Sequence, residues 1–415
     1  MPSIADKLRS MGVKVGAQDI PPPANKLSYP IEKVIEGQHK DTPFGNTFIV
    51  ETRFPIKHHQ GLISIDINSP MDLMAEWVGD QRISQFKIDE YLFLDTETSG
   101  LSGGTGTFAF LIGAGRFEKD YFLLSQFFLR DPIEETAQLF ALSEFLGSKQ
   151  GIVTFNGKPF DVPLLNSRYT INSDLSPFKS LAHIDLLPLA RRLWRDRLPS
   201  RRLTELEQHI LGFQRTHEDV PGWLVPSLYF DYIKSGDARP IKSVFYHNAM
   251  DIISMAALLN YITTLLSNPL NSTDTDGIDL VALGKVFQNL GHFNTAADLY
   301  AFAIESKLPP PILRKALFYW SYMEKRRENL SVAIELWEQA AAEKEIFAHI
   351  ELAKYYEHRT KDFLQAIFWT QAAMNLATSR NFSRIEQQQI QPEIEHRLAR
   401  LKRKNSYDSV SVSSK

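Results

Sequence analysis

The residues Asp95-Thr96-Glu97 close the apolar run Tyr91–Leu94. In a strand, side chains two apart share a face, so Asp95 and Glu97 point the same way. Two carboxylates beside a buried strand repel each other and lose hydration, and a bound cation relieves both penalties. An all-oxygen pair suits a hard ion such as Mg²⁺ or Mn²⁺. A solvent-facing strand carrying the same pair is the alternative. Two further segments bear acids. Asn156-Gly157-Lys158-Pro159-Phe160-Asp161 follows an apolar run and opens a helix, where Asp161 is either a functional carboxylate or a cap. His247 and Asp251 sit i, i+4 on one helix face ahead of the core-seeking Ile252, Ile253, Met255, Ala256 and Leu258. They are either a salt-bridged core pair or part of a site. Imidazole titrates near neutrality and suits proton abstraction from water. Tyr246, one residue earlier, is turned away from Asp251 on a helix of 3.6 residues per turn and is the alternative base.

The elements that must hold these residues follow from the patterning. Residues 86–266 predict an α/β domain. Its expected strands are Tyr91–Asp95, Phe108–Ala114, Tyr121–Leu129 and Gly151–Phe155, and its helices fall near 134–146, 159–169, 184–195, 203–210 and 243–266. Three hairpin-linked strands, a helix and a further strand imply a mixed sheet whose first three strands are antiparallel, flanked by helices. Residues 1–85 form an N-terminal extension of unassigned role, with a mobile start around Pro21–Pro23 and short strands at 44–54 and 62–67. Residues 267–278 read as a linker and 402–415 as a disordered tail. Between them, 279–401 is helical and internally repetitive. Gly284, Phe287, Ala296, Tyr300 and Ala303 set a spacing that Ala333, Trp337 and Ala340, then Ala366, Thr370 and Ala373, repeat in part. Small residues let paired helices approach and an aromatic fills the gap, which resembles tetratricopeptide repeats. Trp320, Trp337 and Trp369 serve as core or as groove residues.

The chain has 415 residues and no cysteine, which excludes a disulfide scaffold, thiolate metal sites and a thiol nucleophile. Its net charge of −3 gives no whole-chain signal for nucleic acid. Locally, Arg191, Arg192, Arg195, Arg197, Arg201 and Arg202 gather around Trp194, a pattern that grips phosphates and stacks a base or simply solvates a helix face. No secretory signal and no apolar run of about 20 residues is present, so a cytoplasmic protein with no membrane partner is expected.

In combination and order, the three acidic segments resemble the DEDD superfamily of 3′–5′ exonucleases, which have a ribonuclease H-like fold. The first motif, DxE, falls on Asp95 and Glu97. The second, Asn…Phe-Asp, falls on Asn156, Phe160 and Asp161, and the third supplies Asp251. The runs LDTETSGLSGGTGTFAFLIGAG, TFNGKPFDVPLL, LPSRRLTELE, DVPGW and YHNAMDIISMAALL are similar to the bacterial YprB-type ribonuclease H-like proteins, which carry tetratricopeptide-like repeats after the nuclease domain. The resemblance spans roughly residues 40–400.

It implies a hydrolase acting on single-stranded RNA or DNA with two divalent cations, Mg²⁺ or Mn²⁺, held by Asp95, Glu97, Asp161 and Asp251, with the repeats docking a protein partner. Thr96, Asn156, Lys158, Arg191, Arg192 and Arg195 are the expected substrate contacts. The glycine-rich segment 99–106 either approaches a phosphate or merely connects strands. Asp185 is read as a helix-start residue. One departure stands out. The family's histidine variant places His five residues before the last Asp and its tyrosine variant places Tyr four before. Here His247 is four before Asp251 and Tyr246 five before. A nucleic-acid-binding or scaffold protein that has lost turnover is the alternative function.

Overall fold

The computed structural model describes residues 29–100, 106–172, 175–270, 275–379 and 384–412. The proline-containing start, most of the glycine-rich segment 99–106 and the middle of the linker lie outside them. The chain divides into two compact units, 1–188 with 202–263, and 189–201 with 264–415.

The first unit is built on a seven-stranded sheet of β1 (Gln38–Thr42), β2 (Gly45–Pro55), β5 (Tyr91–Thr98), β6 (Ala109–Phe117), β7 (Tyr121–Phe128), β8 (Gly151–Thr154) and β9 (Ala182–Asp185). Its order is β1-β2-β7-β6-β5-β8-β9. The meander β5-β6-β7 is antiparallel, and β8 and β9 run parallel to β5. That is the mixed, ribonuclease H-like arrangement expected. Tyr91–Leu94 is a continuous apolar run because β5 is central: all four residues are buried between neighbours on both sides. The helices are α1 (Ile31–Val34), α2 (Asp72–Val78), α3 (Glu135–Leu146), α4 (Asp161–Ile171), α5 (Leu186–Leu193, second unit from 189 on), α6 (Leu203–Leu206), α7 (Val225–Ser235) and α8 (Ile241–Ser267, second unit from 264 on). Two apolar cores can be traced among the described residues of this unit. One joins Leu92, Leu94 and Ile112 to Leu139, Leu142 and Tyr169, and the other joins Phe110 and Phe128 to Tyr229, Val244 and Phe245. The helix α8 is long and apolar enough to cross a membrane, but two thirds of its apolar window is buried in the protein.

Two differences from the sequence expectations are local. The expected strand at 44–54 forms, but its partners are β1 and β7 rather than 62–67, where only the two-residue strands β3 (His59–Gln60) and β4 (Ile63–Ser64) pair. The stretch of unassigned role thus extends the main sheet past β7, burying Phe48, Ile49 and Val50. The helix expected from 184 begins at 186, because Ala182–Asp185 pairs with β8 as an edge strand.

The second unit is all-helical: α9 (Gly277–Leu290), α10 (Phe293–Glu305), α11 (Pro310–Arg326), α12 (Leu330–Ala342), α13 (Ile346–Tyr355), α14 (Phe363–Ala377) and α15 (Arg384–Val412), each packed on the next. The recurring small positions Ala296, Ala303, Ala333, Ala340, Ala366 and Ala373 are all fully buried. At Gly284 a Cβ would come within 2.9 Å of the Tyr300 ring, so that helix pair meets only without a side chain there. Trp337 is buried, and Trp320 and Trp369 pack against the same core, so the tryptophans are core rather than groove residues. The disordered tail expected from 402 is corrected as far as Val412, which ends α15. Its helix is pinned by Leu401 in the core and by Lys404, whose ammonium lies 2.8 Å from Glu357.

Candidate functional site

The four acids arrive from three places in the first unit. Asp95 and Glu97 come from the end of β5, where the register with β6 shifts between Glu97 and Thr98. Such an irregularity lets a strand leave its ladder and re-aim side chains. Asp161 opens α4. The chain reaches it through Asn156, whose backbone is left-handed at φ 67°, and Gly157, where a Cβ would lie 2.6 Å from Thr154. Asn tolerates that conformation better than most residues. Asp185, at the end of β9, accepts hydrogen bonds from the backbone N–H of Asn156 (2.7 Å), Lys158 (3.1 Å) and Leu187 (3.2 Å). It therefore starts α5, as expected, and also fixes the turn that delivers Asp161. Asp251 and His247 come from α8.

These residues gather. One ligand atom each of Glu97, His247 and Asp251 lies within 4.8 Å of the others. Burial, and then the charges of Asp251, Glu97 and Asp161, hold the Asp95 carboxyl well above the usual range. Burial also pushes Glu97 up to about 7, and Asp161 to about 6 in spite of a hydrogen bond from the Thr96 hydroxyl. The cause is elementary: adjacent carboxylates in a poorly hydrated place resist ionising together. Asp95 is aimed by a buried relay. Gln126 donates to Asn248 Oδ1 (2.9 Å), and Asn248 donates to Asp95 Oδ2 (2.8 Å). The relay fits beneath α8 because position 113 is glycine, whose Cβ would lie 2.2 Å from Asn248.

His247 donates from Nδ1 to Asp219 (2.7 Å), which leaves Nε2 facing Asp251 at 3.7 Å. Burial pulls its pKa down, but the Asp251 and Glu97 charges outweigh it and the net shift is upward. Tyr246 points elsewhere. Its hydroxyl accepts from the Thr216 backbone (3.1 Å), and the residue lines a cavity of about 710 Å³ with Phe245, Gln126 and Lys242.

Several contributors had no role assigned from sequence. Arg215 bonds Asp251 and spans both oxygens of buried Glu207 at 2.7 Å. Ser254 also donates to Glu207 (2.6 Å) and in turn accepts from Gln60 (3.0 Å). Glu207 begins a π-helical turn, 207–211, a distortion frequent at functional sites. Asp219 and Glu207 lie within the runs DVPGW and LPSRRLTELE, though neither run says what they contact; Arg215 belongs to no legible spacing. Two apolar aromatics stand exposed at site segments, Phe160 (58%) directly before Asp161 and Trp223 (69%) directly after Gly222, whose Cβ position is 3.9 Å from His247 Nε2.

Lys158 is exposed beside the second motif. Arg191, Arg192 and Arg195 belong to the second unit, where they are exposed and meet no acid among the described residues. Arg197 is held by Asp276 (3.7 Å) and buried Asp279. Trp194 is fully buried, which corrects the expectation that it stacks a base.

A mixed sheet in this order with an acidic cluster at the end of its central strand defines a ribonuclease H-like protein. Residues 92–263 match the family described as the RNase_H superfamily, a nuclease fold that points to nucleic-acid processing. The chain is 30% identical over 368 residues to "Uncharacterized protein YprB" of Bacillus subtilis (strain 168), covering 86% of each, and it belongs to the family of that protein.

Proposed function

We propose that the chain is a metal-dependent 3′–5′ exonuclease of the DEDD type, acting on single-stranded RNA or DNA in the cytoplasm. The observation that carries the reading is the convergence of Asp95, Glu97, Asp161 and Asp251 with His247, at a cost in lost hydration and then repulsion that raises the Asp95 carboxyl. The donor set fits divalent cations: hard oxygens plus one imidazole, four acids against one nearby arginine and one histidine. Asp95, Glu97, Asp161 and Asp251 would hold two Mg²⁺ or Mn²⁺ ions. Bound there, the ions supply a more acidic water and offset charge at the attacking and leaving oxygens. The protein's own part is positional. Asn248 aims Asp95, Thr96 aims Asp161, and Asp219 fixes the His247 tautomer so that Nε2 takes the proton from the attacking water. Lys158 and the exposed rings of Phe160 and Trp223 hold the terminal nucleotides. We propose the second unit as a tetratricopeptide-like array docking a protein partner, on the strength of its buried small-residue repeat.

The bond from Arg215 to Asp251 favours one alternative, a binding protein without turnover, since an internal cation already serves one ligand oxygen. Degradation of end-labelled RNA and DNA with Mn²⁺, wild type beside Asp95→Ala, decides between them. Stepwise loss of 3′ nucleotides by wild type alone is expected. No metal-dependent loss from either polymer would leave the binding reading.

A further inference from the structure

In the second unit, Glu357 lies on a π-helical turn, 356–360, with its side chain fully buried. Basic groups converge on it. Arg400 Nη2 (2.7 Å) and Arg397 Nη1 (3.1 Å) reach Oε2, and Lys404 Nζ (2.8 Å) and Arg400 Nε (3.2 Å) reach Oε1. The three recur at i, i+3 and i+7 on α15 and so share a face. His358 Nε2 adds a fifth nitrogen at 3.5 Å.

One bidentate arginine would satisfy a carboxylate. Here three permanent cations face one anion, and like charges brought to one carboxylate repel each other. The surroundings add to the surplus. Arg359, Lys361, Lys402 and Arg403 are exposed and meet no acid among the described residues. The segment 396–404, HRLARLKRK, contains no acid at all. The nearby Asp362 carboxylate is engaged in capping α14, accepting from Gln365 N at 3.0 Å.

We propose that this basic face binds the phosphate backbone of a nucleic acid. Arg359, Lys361, Lys402 and Arg403 contact phosphates, and Glu357 acts as a buried pin that holds Arg397, Arg400 and Lys404 beneath them. The surplus is spread over two elements, which suits a repeating anion better than a single small one. An anionic membrane is the poorer fit. A membrane-surface helix needs a free apolar face, and Ile394 and Leu401 of α15 are already buried in the protein. The Phe363 ring, 5.9 Å from Lys404 Nζ, adds an aromatic surface of the kind on which bases stack. The inference does not depend on the chemistry of the acidic site.

The test uses the full chain carrying Arg359→Glu, Lys361→Glu, Lys402→Glu and Arg403→Glu, none of which touches Glu357. Thermal melting checks folding, and a Lys402→Arg/Arg403→Lys variant controls for charge alone. Binding of fluorescein-labelled single-stranded RNA and DNA is followed by anisotropy across a KCl series in EDTA, so that nothing is hydrolysed. Affinity should fall at least about tenfold, and the slope of log K against log [salt] should shrink by about 0.7 for each phosphate no longer neutralised. The control should bind like wild type. Unchanged affinity and slope, or a loss confined to phosphatidylserine vesicles, would overturn the proposal. An active nuclease with undiminished binding rejects the patch alone, whereas charge-dependent binding without turnover rejects the nuclease reading alone.

Discussion

The acidic site and the Glu357 cluster are electrostatic opposites. In the first unit, Asp95, Glu97, Asp161 and Asp251 share Arg215 and His247, and three of the four carboxyls are held above their usual range. In the second, one carboxylate has three permanent cations, and their hydrogen bonds outweigh burial and pull Glu357 down to about 2. A fold satisfied by its own residues would balance both. Each imbalance is instead most simply read as half of a pair: the first lacks cations, which a divalent metal provides, and the second lacks anions, which a phosphate backbone provides. The signs of the two imbalances, more than the residue types, separate the proposed ion site from the proposed polymer-binding surface.

The comparison breaks most decisively at Asp95. Asp95→Asn should reduce hydrolysis to background, yet raise the melting temperature of cation-free protein by removing a buried carboxyl that three neighbouring acids also repel. Mn²⁺ should raise the melting temperature of wild type and leave the variant nearly unmoved. A variant that melts below wild type without metal would mean that the acids are balanced after all. His247→Ala comes next, with a loss of about 10²–10⁴-fold in turnover and little change in melting. Tyr246→Phe should stay near wild type, because its hydroxyl bonds the Thr216 backbone outside the cluster. Equal losses in both would move the proton-transfer role away from the imidazole.

What the sequence made legible follows the same division. Asp95, Glu97, Asp161, His247 and Asp251 were readable because each stands in a short segment whose local structure, a strand end or a helix start, determines where it points. Arg215 and Glu207 were not. Their partners lie 36 and 47 residues away, on Asp251 and Ser254, and only tertiary packing joins them. The sheet shows the same limit. The buried run Phe48–Val50 announces a strand, but nothing in it names β7 as its partner. The residues after 402 read as a tail because their composition is polar; the helix there depends on Glu357, 47 residues before Lys404.

Arg215 tests how far the first unit's shortage of cations is already met from within. Its side chain is buried and joins Glu207, Asp219 and Asp251. Arg215→Met should destabilise the protein by about 3–5 kcal/mol, since buried Glu207 and half-buried Asp219 and Asp251 lose their counter-ion. Chemical denaturation reads this directly. Mn²⁺ should recover part of the loss through Asp251, whereas Glu207, outside the proposed ligand set, gains nothing from it. Full recovery would mean that Glu207 also binds the ion.

The smallest effect separates the two regions by pH. Glu357 has a folded pKa of about 2 against an ordinary 4.5. A depressed carboxyl contributes stability that is complete above pH 4.5 and disappears as pH falls through 2. The melting-temperature gap between wild type and Glu357→Gln should therefore be constant above about pH 5 and close progressively below 4.5. The first unit's acids have the opposite sign. Glu97 and Asp161, raised to about 7 and about 6, favour the folded state most at low pH and lose that contribution as pH rises through those values. Cation-free Glu97→Gln should accordingly gain on wild type between pH 5 and 8, where the Glu357 gap is flat. If the two gaps moved in the same direction, the carboxyls would be responding to net charge alone, and the contrast between an ion site and a polymer surface would lose its physical basis.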